Sequence, residues 1–121
     1  MAFDEGLYAW VQEALEPLGS VSMRKMMGGA TLYLDGTAFA IFAEDDLWFK
    51  ADGETDAIWD EAGCERFTYT FKDGRVGTMN YRRAPTDVHD DTDAMQRWAN
   101  LALQAGVRAA AKKKPTKPKA V

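Results

Sequence analysis

Two pairs of adjacent cations, Arg24-Lys25 and Arg82-Arg83, are the residues of this chain best suited to holding a charged ligand. Guanidinium groups grip carboxylates and phosphates by paired hydrogen bonds, so both pairs on one face would make a patch for an anion or an acidic partner. Salt bridging to nearby acids is the competing use of the same charges. Tyr81 adjoins the second pair, and Trp48 alternates away from the more apolar side of its strand. An open sheet face would turn Trp48 into a contact surface. Arg24, Lys25, Trp48, Tyr81, Arg82 and Arg83 are therefore the candidate partner- or anion-binding residues.

The doublet Gly28-Gly29 raises a second chemistry, phosphate binding. A phosphate-binding glycine loop joins a strand to a helix, so that the helix N-terminus faces the anion. Here the doublet runs into "ATLYLDG", which has strand character and a turn behind it. A structural bend at Gly28 and Gly29, letting one long strand curl over a helix layer, is the reading the context favours.

Catalytic and metal-binding constellations are weak. His89, the single histidine, lies in the acidic run "DVHDD", where Asp87, Asp90 and Asp91 would hold a divalent ion poorly. An exposed loop that caps the following helix explains that run better. Cys64 follows a helix-terminating glycine with no base beside it, which fits a structural thiol. Turns and helix surfaces account for the carboxylates, and none takes an acid–base role. The expectation is no catalytic residue, no metal and no cofactor.

The elements that would position these residues follow from periodicity. Leu7, Trp10, Val11, Ala14, Leu15 and Leu18 form one apolar stripe at helical spacing, with Asp4 as the cap and Phe3 and Tyr8 as a staple across it. Pro17 and Gly19 stop that helix. "VSMRKMM", "ATLYL", "TAFAIFA" and "LWFKA" form a dense β region, with a tight turn at Asp35-Gly36. "DGETDAIWDEAG" reads as a short helix with Ile58 and Ala62 inward, Trp59 alongside and Gly63 as terminator. "RFTYTFKDGRVGTMNY" is a hairpin turning at Asp73-Gly74, and "RRAPTDVHDD" is a loop. A long helix opened by Asp91 or Thr92 presents Met95, Trp98, Ala99, Ala102 and Ala105.

Runs of strands separated by helices and linked by hairpins define an α+β two-layer sandwich. The expected order is α-β3-α-β2-α, an antiparallel sheet of about five strands with helices on one face. A chain of 121 residues holds one such domain, assigned to residues 1–108, with a basic Lys/Pro-rich tail at 109–121 that is disordered at its end. No apolar run reaches the roughly 20 residues of a membrane span, and acids stand where a secretory signal needs a basic flank. One cysteine fits a reducing compartment, so the expected location is the cytoplasm. Net charge is −4, and the last fourteen residues carry +6, leaving −4 − 6 = −10 on residues 1–107. Such an acidic body repels nucleic acid, which would bind at most weakly through the Lys112–Lys119 tail.

The ordered segments "MRKMMGGATLYLDGTAFAIFAEDDLWFKAD", "WDEAGCERFTY" and "MNYRRAP" resemble the TfoX N-terminal domain family, with a likeness running from about Trp10 to Arg108. Met27 stands where that family often has phenylalanine. The resemblance implies an α-β3-α-β2-α domain similar in fold to type III secretion chaperones. It further implies a bacterial protein of the kind that positively regulates DNA-uptake (competence) genes beside a cyclic-AMP-responsive activator. Family members of that kind carry a second, C-terminal domain, and this chain is expected to be a stand-alone N-terminal one. No catalytic residues come with the family.

The leading expectation is a non-enzymatic regulatory or adaptor domain acting through contacts with another protein, within transcription or competence control. Its alternative is a small-molecule or anion-binding domain using Arg24/Lys25 and Arg82/Arg83. DNA binding through the tail and an enzyme built on Cys64 rank below both. A homodimer is suggested by fold analogy alone.

Overall fold

The computed structural model describes residues 5–26, 29–43 and 46–113. The Asp4 cap, the Phe3 staple, Met27, Gly28 and the tail from residue 114 onward lie outside them. The element order is α1 (Glu5–Leu15), β1 (Val21–Met26), β2 (Gly29–Leu34), β3 (Thr37–Ala43), β4 (Asp46–Lys50), α2 (Asp56–Glu61), β5 (Arg66–Thr70), β6 (Val76–Arg83), a 3-10 turn (Thr86–His89) and α3 (Thr92–Lys113). This is the expected α+β arrangement with one more strand than the sequence suggested. The six strands pair antiparallel in the order β1-β2-β3-β4-β6-β5.

The extra strand comes from the glycine doublet. Met26 pairs with Gly29, so the chain reverses there into a β1–β2 hairpin rather than bending within one long strand. Gly29 is required by a close approach: a Cβ on it would sit 2.0 Å from the backbone oxygen of Phe42 on β3. The element that Gly29 opens is a strand and not a helix.

One face of the sheet carries the main core. Leu32, Leu34, Phe42, Leu47 and Phe49 project onto Val11, Ala14 and Leu15 of α1 and onto Met95, Ala99 and Ala102 of α3. Each large apolar side chain so buried contributes roughly 1.5–3 kcal/mol of transfer free energy. Small residues on α3 let it lie close over β3. Asp91 caps α3, its Oδ1 accepting from the Ala94 N–H at 3.2 Å. Side chains then tie the layer together: Trp10 Nε1 donates to the Val88 carbonyl at 2.7 Å, and Gln96 Nε2 to the Ala14 carbonyl at 2.9 Å.

Helix α2 presents a different face from the one expected. Ile58 and Ala62 are exposed, whereas Trp59 is fully buried. The Trp59 ring stacks on Phe49, with centroids 5.8 Å apart, and packs on Trp98 at 4.8 Å. A six-residue helix has room to bury one large side chain, and the indole covers more apolar area than isoleucine. Leu18, placed on the α1 stripe by its spacing, falls beyond the end of the helix and is exposed.

Candidate functional site

The sheet order separates the two cation pairs. Arg24 and Lys25 lie on β1, one edge of the sheet, and Arg82 and Arg83 on β6, with β2, β3 and β4 between them. The two pairs therefore do not form a single patch, and Arg82 and Arg83 take the competing use, salt bridging to nearby acids. Register splits the second pair as well, because adjacent residues of a strand face opposite sides. Arg82 pairs with Phe49 on the helix face, and Arg83 with Trp48 on the other.

Arg82 is 2% exposed and locks α2 to the sheet. Its Nη1 donates to Asp60 Oδ1 at 2.7 Å and to the Cys64 carbonyl at 3.0 Å, and its Nη2 donates to Asp56 Oδ1 at 3.3 Å. A buried guanidinium needs such acceptors, and here they fix a helix end rather than await a ligand. Beside it the Cys64 thiol is buried, and that desolvation pushes its pKa up; Arg82 draws it down and Asp87 raises it further. The net effect favours the protonated thiol over the thiolate. A cleft of about 520 Å³ opens next to it, lined by Cys64, Glu65, Arg83, Pro85, Arg97 and Trp98 among others. Among the described residues no group of three or more His, Cys, Asp or Glu side chains is placed to hold a metal ion.

The sheet face away from the helices carries a second apolar cluster of Ile41, Trp48, Phe67 and Tyr81. Trp48 is only 2% exposed, so it is not the open contact residue that an uncovered face would have made it. Its Nε1 donates to the Ala43 carbonyl at 3.0 Å, Phe67 meets it edge-on at 4.8 Å, and Arg83 covers its ring at 4.6 Å. Arg83 is held there by Asp46 and by Glu65 at 3.4 Å. Lys50 lies over the Tyr81 ring at 5.0 Å, and burial raises the pKa of the Tyr81 phenol, with Tyr33 adding to the shift.

What the residues leave open is the β5–β6 hairpin. β6 pairs with β4 through Tyr81–Arg83, so residues 76–79 of β6 and Thr68–Thr70 of β5 extend past β4. Phe67, Tyr69 and Phe71 run along one face as a stepped row with centroids 6.5 and 5.1 Å apart, and Arg75 covers Phe71 at 4.5 Å. Tyr69, Phe71, Met79 and Val76 are exposed, Val76 to 66%. Opposite Tyr69 stands Gly77, where a Cβ would come within 2.6 Å of the tyrosine ring. The absent side chain lets the ring lie flat on the backbone. The sequence did hold this signal, aromatics alternating with threonines opposite a glycine, but alternation says which residues share a face and not whether anything covers it.

Comparison with known proteins decides the ancestry of this arrangement. The sequence model of the TfoX N-terminal domain matches residues 13–106. The chain belongs to the TfoX N-terminal domain family. The match runs from α1 into α3 and takes in all six strands, so this TfoX domain includes both the locked Arg82 and the free hairpin. A curated relative, "DNA transformation protein TfoX1" of Aliivibrio fischeri (strain ATCC 700601 / ES114), is 34% identical over 67 residues. That alignment covers 55% of this chain and 32% of the relative, so the chain spans about a third of the length of the protein it matches. Among the described residues no helix is long and apolar enough to cross a membrane.

Proposed function

We propose that this TfoX domain is a non-enzymatic regulatory module that acts through protein–protein contacts in the control of transcription or competence genes. The observation that carries the reading is the projecting end of the β5–β6 hairpin, where Tyr69, Phe71 and Met79 are exposed beyond the buried Phe67. Exposed aromatic and methionine side chains grouped on one rigid element are the usual anchors of protein interfaces. Membership of a family with a DNA transformation relative supports the biological setting. The anion-binding alternative loses its basis, since Arg24 and Lys25 lie across the sheet from Arg82 and Arg83, and the latter two are taken up in ion pairs.

The test is to produce the chain in a competence-capable bacterium lacking it and to measure transcripts of the DNA-uptake genes. The wild-type chain is expected to change them. Tyr69→Ser and Phe71→Ser are expected to abolish the change while leaving the thermal midpoint nearly unmoved, because both side chains are exposed. Unchanged transcripts, together with measurable turnover of a metabolite, would remove the regulatory reading.

A further inference from the structure

We infer that the cleft beside Cys64 binds a small zwitterion with a planar apolar body, of the chemical class of the aromatic amino acids. At about 520 Å³ the cleft has the size of a small-molecule site. Residues 62–65 after α2 supply one wall, residues 83–87 a second, and Arg97 with Trp98 on α3 a third. Arg82 fixes the first wall through the Cys64 carbonyl, and Trp10 anchors the end of the second through the Val88 carbonyl. The walls are therefore set by the core and do not wait for a ligand to assemble them.

Charge selects the guest. The lining carries two cations, Arg83 and Arg97, and two carboxylates, Glu65 and Asp87. Arg83 is already paired with Glu65 and Asp46. Arg97 and Asp87 are exposed, and among the described residues neither forms an ion pair, with each other or with a third group. The charge of Asp87 is felt at the Cys64 thiol on the same lining. A simple anion drawn to Arg97 would also meet Asp87, and a simple cation would meet the reverse, so a lining of zero net charge favours neither. A guest bearing both charges gives its carboxylate to the Arg97 fork and its ammonium to Asp87.

The rest of the lining suits a ring. Trp98 is half-buried, packs on the buried Trp59 at 4.8 Å, and lines the cleft together with Ala84 and Pro85. An indole in such a wall offers a surface on which another aromatic ring packs favourably. Both buried donors that lack a partner among the described residues adjoin this lining. Trp59 Nε1 belongs to the ring packed on Trp98, and Arg82 Nε to the guanidinium bonded to the Cys64 carbonyl. Unpaired buried groups break the rules of a purely structural core, and such breaks gather at sites that serve something besides the fold. The site differs from the four-cation patch expected from sequence, since Arg24, Lys25 and Arg82 do not line it.

The inference is independent of the regulatory reading, because the cleft can hold a ligand whether or not the hairpin meets a partner. Calorimetric titration of the full chain with L-phenylalanine is expected to show one site per chain. Nitrogen-edited NMR is expected to show shifts at the Trp98 indole and the Gly63 amide, and none at Thr31 on β2. 3-Phenylpropionate and phenethylamine each lack one charge and are expected to bind about tenfold more weakly or worse. Arg97→Ala and Asp87→Asn remove exposed, unpaired charges, so both variants should fold as the wild type does. Each is expected to lose about tenfold or more in affinity for L-phenylalanine. Arg97→Ala should also cease to distinguish L-phenylalanine from phenethylamine, whereas Arg24→Ala on β1 should change nothing. No binding into the millimolar range, 3-phenylpropionate binding as tightly as L-phenylalanine, or full affinity in both cleft variants overturns the inference. The transcript measurements on the hairpin variants bear on the regulatory reading alone.

Discussion

The guanidinium of Arg83 lies 4.6 Å over the indole of Trp48, and the two residues are direct cross-strand partners on β6 and β4. With Asp46 and Glu65 holding the cation, this pair is the lid on the smaller core of Ile41, Trp48, Phe67 and Tyr81. A cation over an indole is worth about 0.5–1 kcal/mol at a part-exposed site. Arg83→Ala is expected to lower unfolding stability by about 1 kcal/mol in urea titration. Arg83→Lys should recover part of that loss, since an ammonium keeps the charge but not the planar fork. An alanine variant as stable as the wild type would show that the stack contributes nothing.

Arg82 should matter more than its neighbour. It is buried, and its removal leaves Asp56, Asp60 and the Cys64 carbonyl without their shared donor. Breaking one side of a buried ion pair typically costs about 3–5 kcal/mol. Asp56 and Asp60 retain access to water, so the expected loss for Arg82→Ala falls below that range, about 2–3 kcal/mol. Urea titration of Arg82→Ala beside Arg83→Ala checks the ranking directly, and a smaller loss at residue 82 would contradict this account of α2 docking.

The contrast between the two arginines also shows what the sequence could say. Helical spacing identified α1 and α3 with most of their buried residues, whereas Arg82 and Arg83 were read together as a pair and only the β4–β6 register sets them on opposite faces. Pairing across strands was not legible: nothing local told β6 to sit beside β4, so the partners of Trp48 and the isolation of Arg24 and Lys25 could not be foreseen. The Gly28-Gly29 region misled for a related reason. A glycine demanded by a neighbouring backbone leaves the same trace in sequence as one demanded by a bend, and only the Phe42 oxygen above Gly29 separates them. Short α2 was ambiguous because six residues make too little periodicity to choose between Ile58 and Trp59. For the candidate site, the aromatic row was readable as a row, and its exposure depended on how far β5 and β6 outrun β4.

Gly29 gives the strongest stability prediction. Any side chain there must displace the β3 backbone, and backbone cannot yield as the tip of a flexible side chain can. Gly29→Val is expected to cost about 3 kcal/mol or more, enough to leave little folded protein by circular dichroism. A fully stable Gly29→Val protein would mean that β2 and β3 do not approach as described.

Acid should loosen the contact between α3 and the segment before α2. The hydrogen bond from Arg108 holds the Asp52 carboxyl below its ordinary value, aided by Thr55 and by the charge of Arg108, while burial opposes the shift. Arg108 Nε donates to Asp52 Oδ2 at 2.6 Å and Nη2 to Oδ1 at 3.1 Å, a bidentate grip. A carboxyl whose folded pKa is depressed contributes stability above its unfolded pKa and loses it as pH falls through the folded one. Asp52→Asn is therefore expected to be less stable than the wild type at neutral pH. The gap should begin to close as pH drops below the ordinary carboxylate value of 3.8 and should vanish once the wild-type carboxyl is protonated. Thermal midpoints of both proteins from neutral to strongly acidic pH supply the comparison, and a gap that does not change with pH would remove the ion pair as its cause.

The thiol of Cys64 offers a sharp check on its reading as a structural group. Burial raises its pKa, and the opposing pull of Arg82 is the smaller effect, so at neutral pH the thiolate fraction lies below that of a free cysteine. Reaction with a thiol reagent such as Ellman's should therefore be slower in the folded protein than for free cysteine, and should reach the free rate once urea unfolds the chain. Raising the pH should accelerate the folded-state reaction over a range displaced upward from that of free cysteine. Should Cys64 instead react faster than free cysteine at neutral pH, the charge of Arg82 would be outweighing the effect of burial. The cleft beside Glu65 and Arg97 would then have to be reconsidered as a place where a thiolate works.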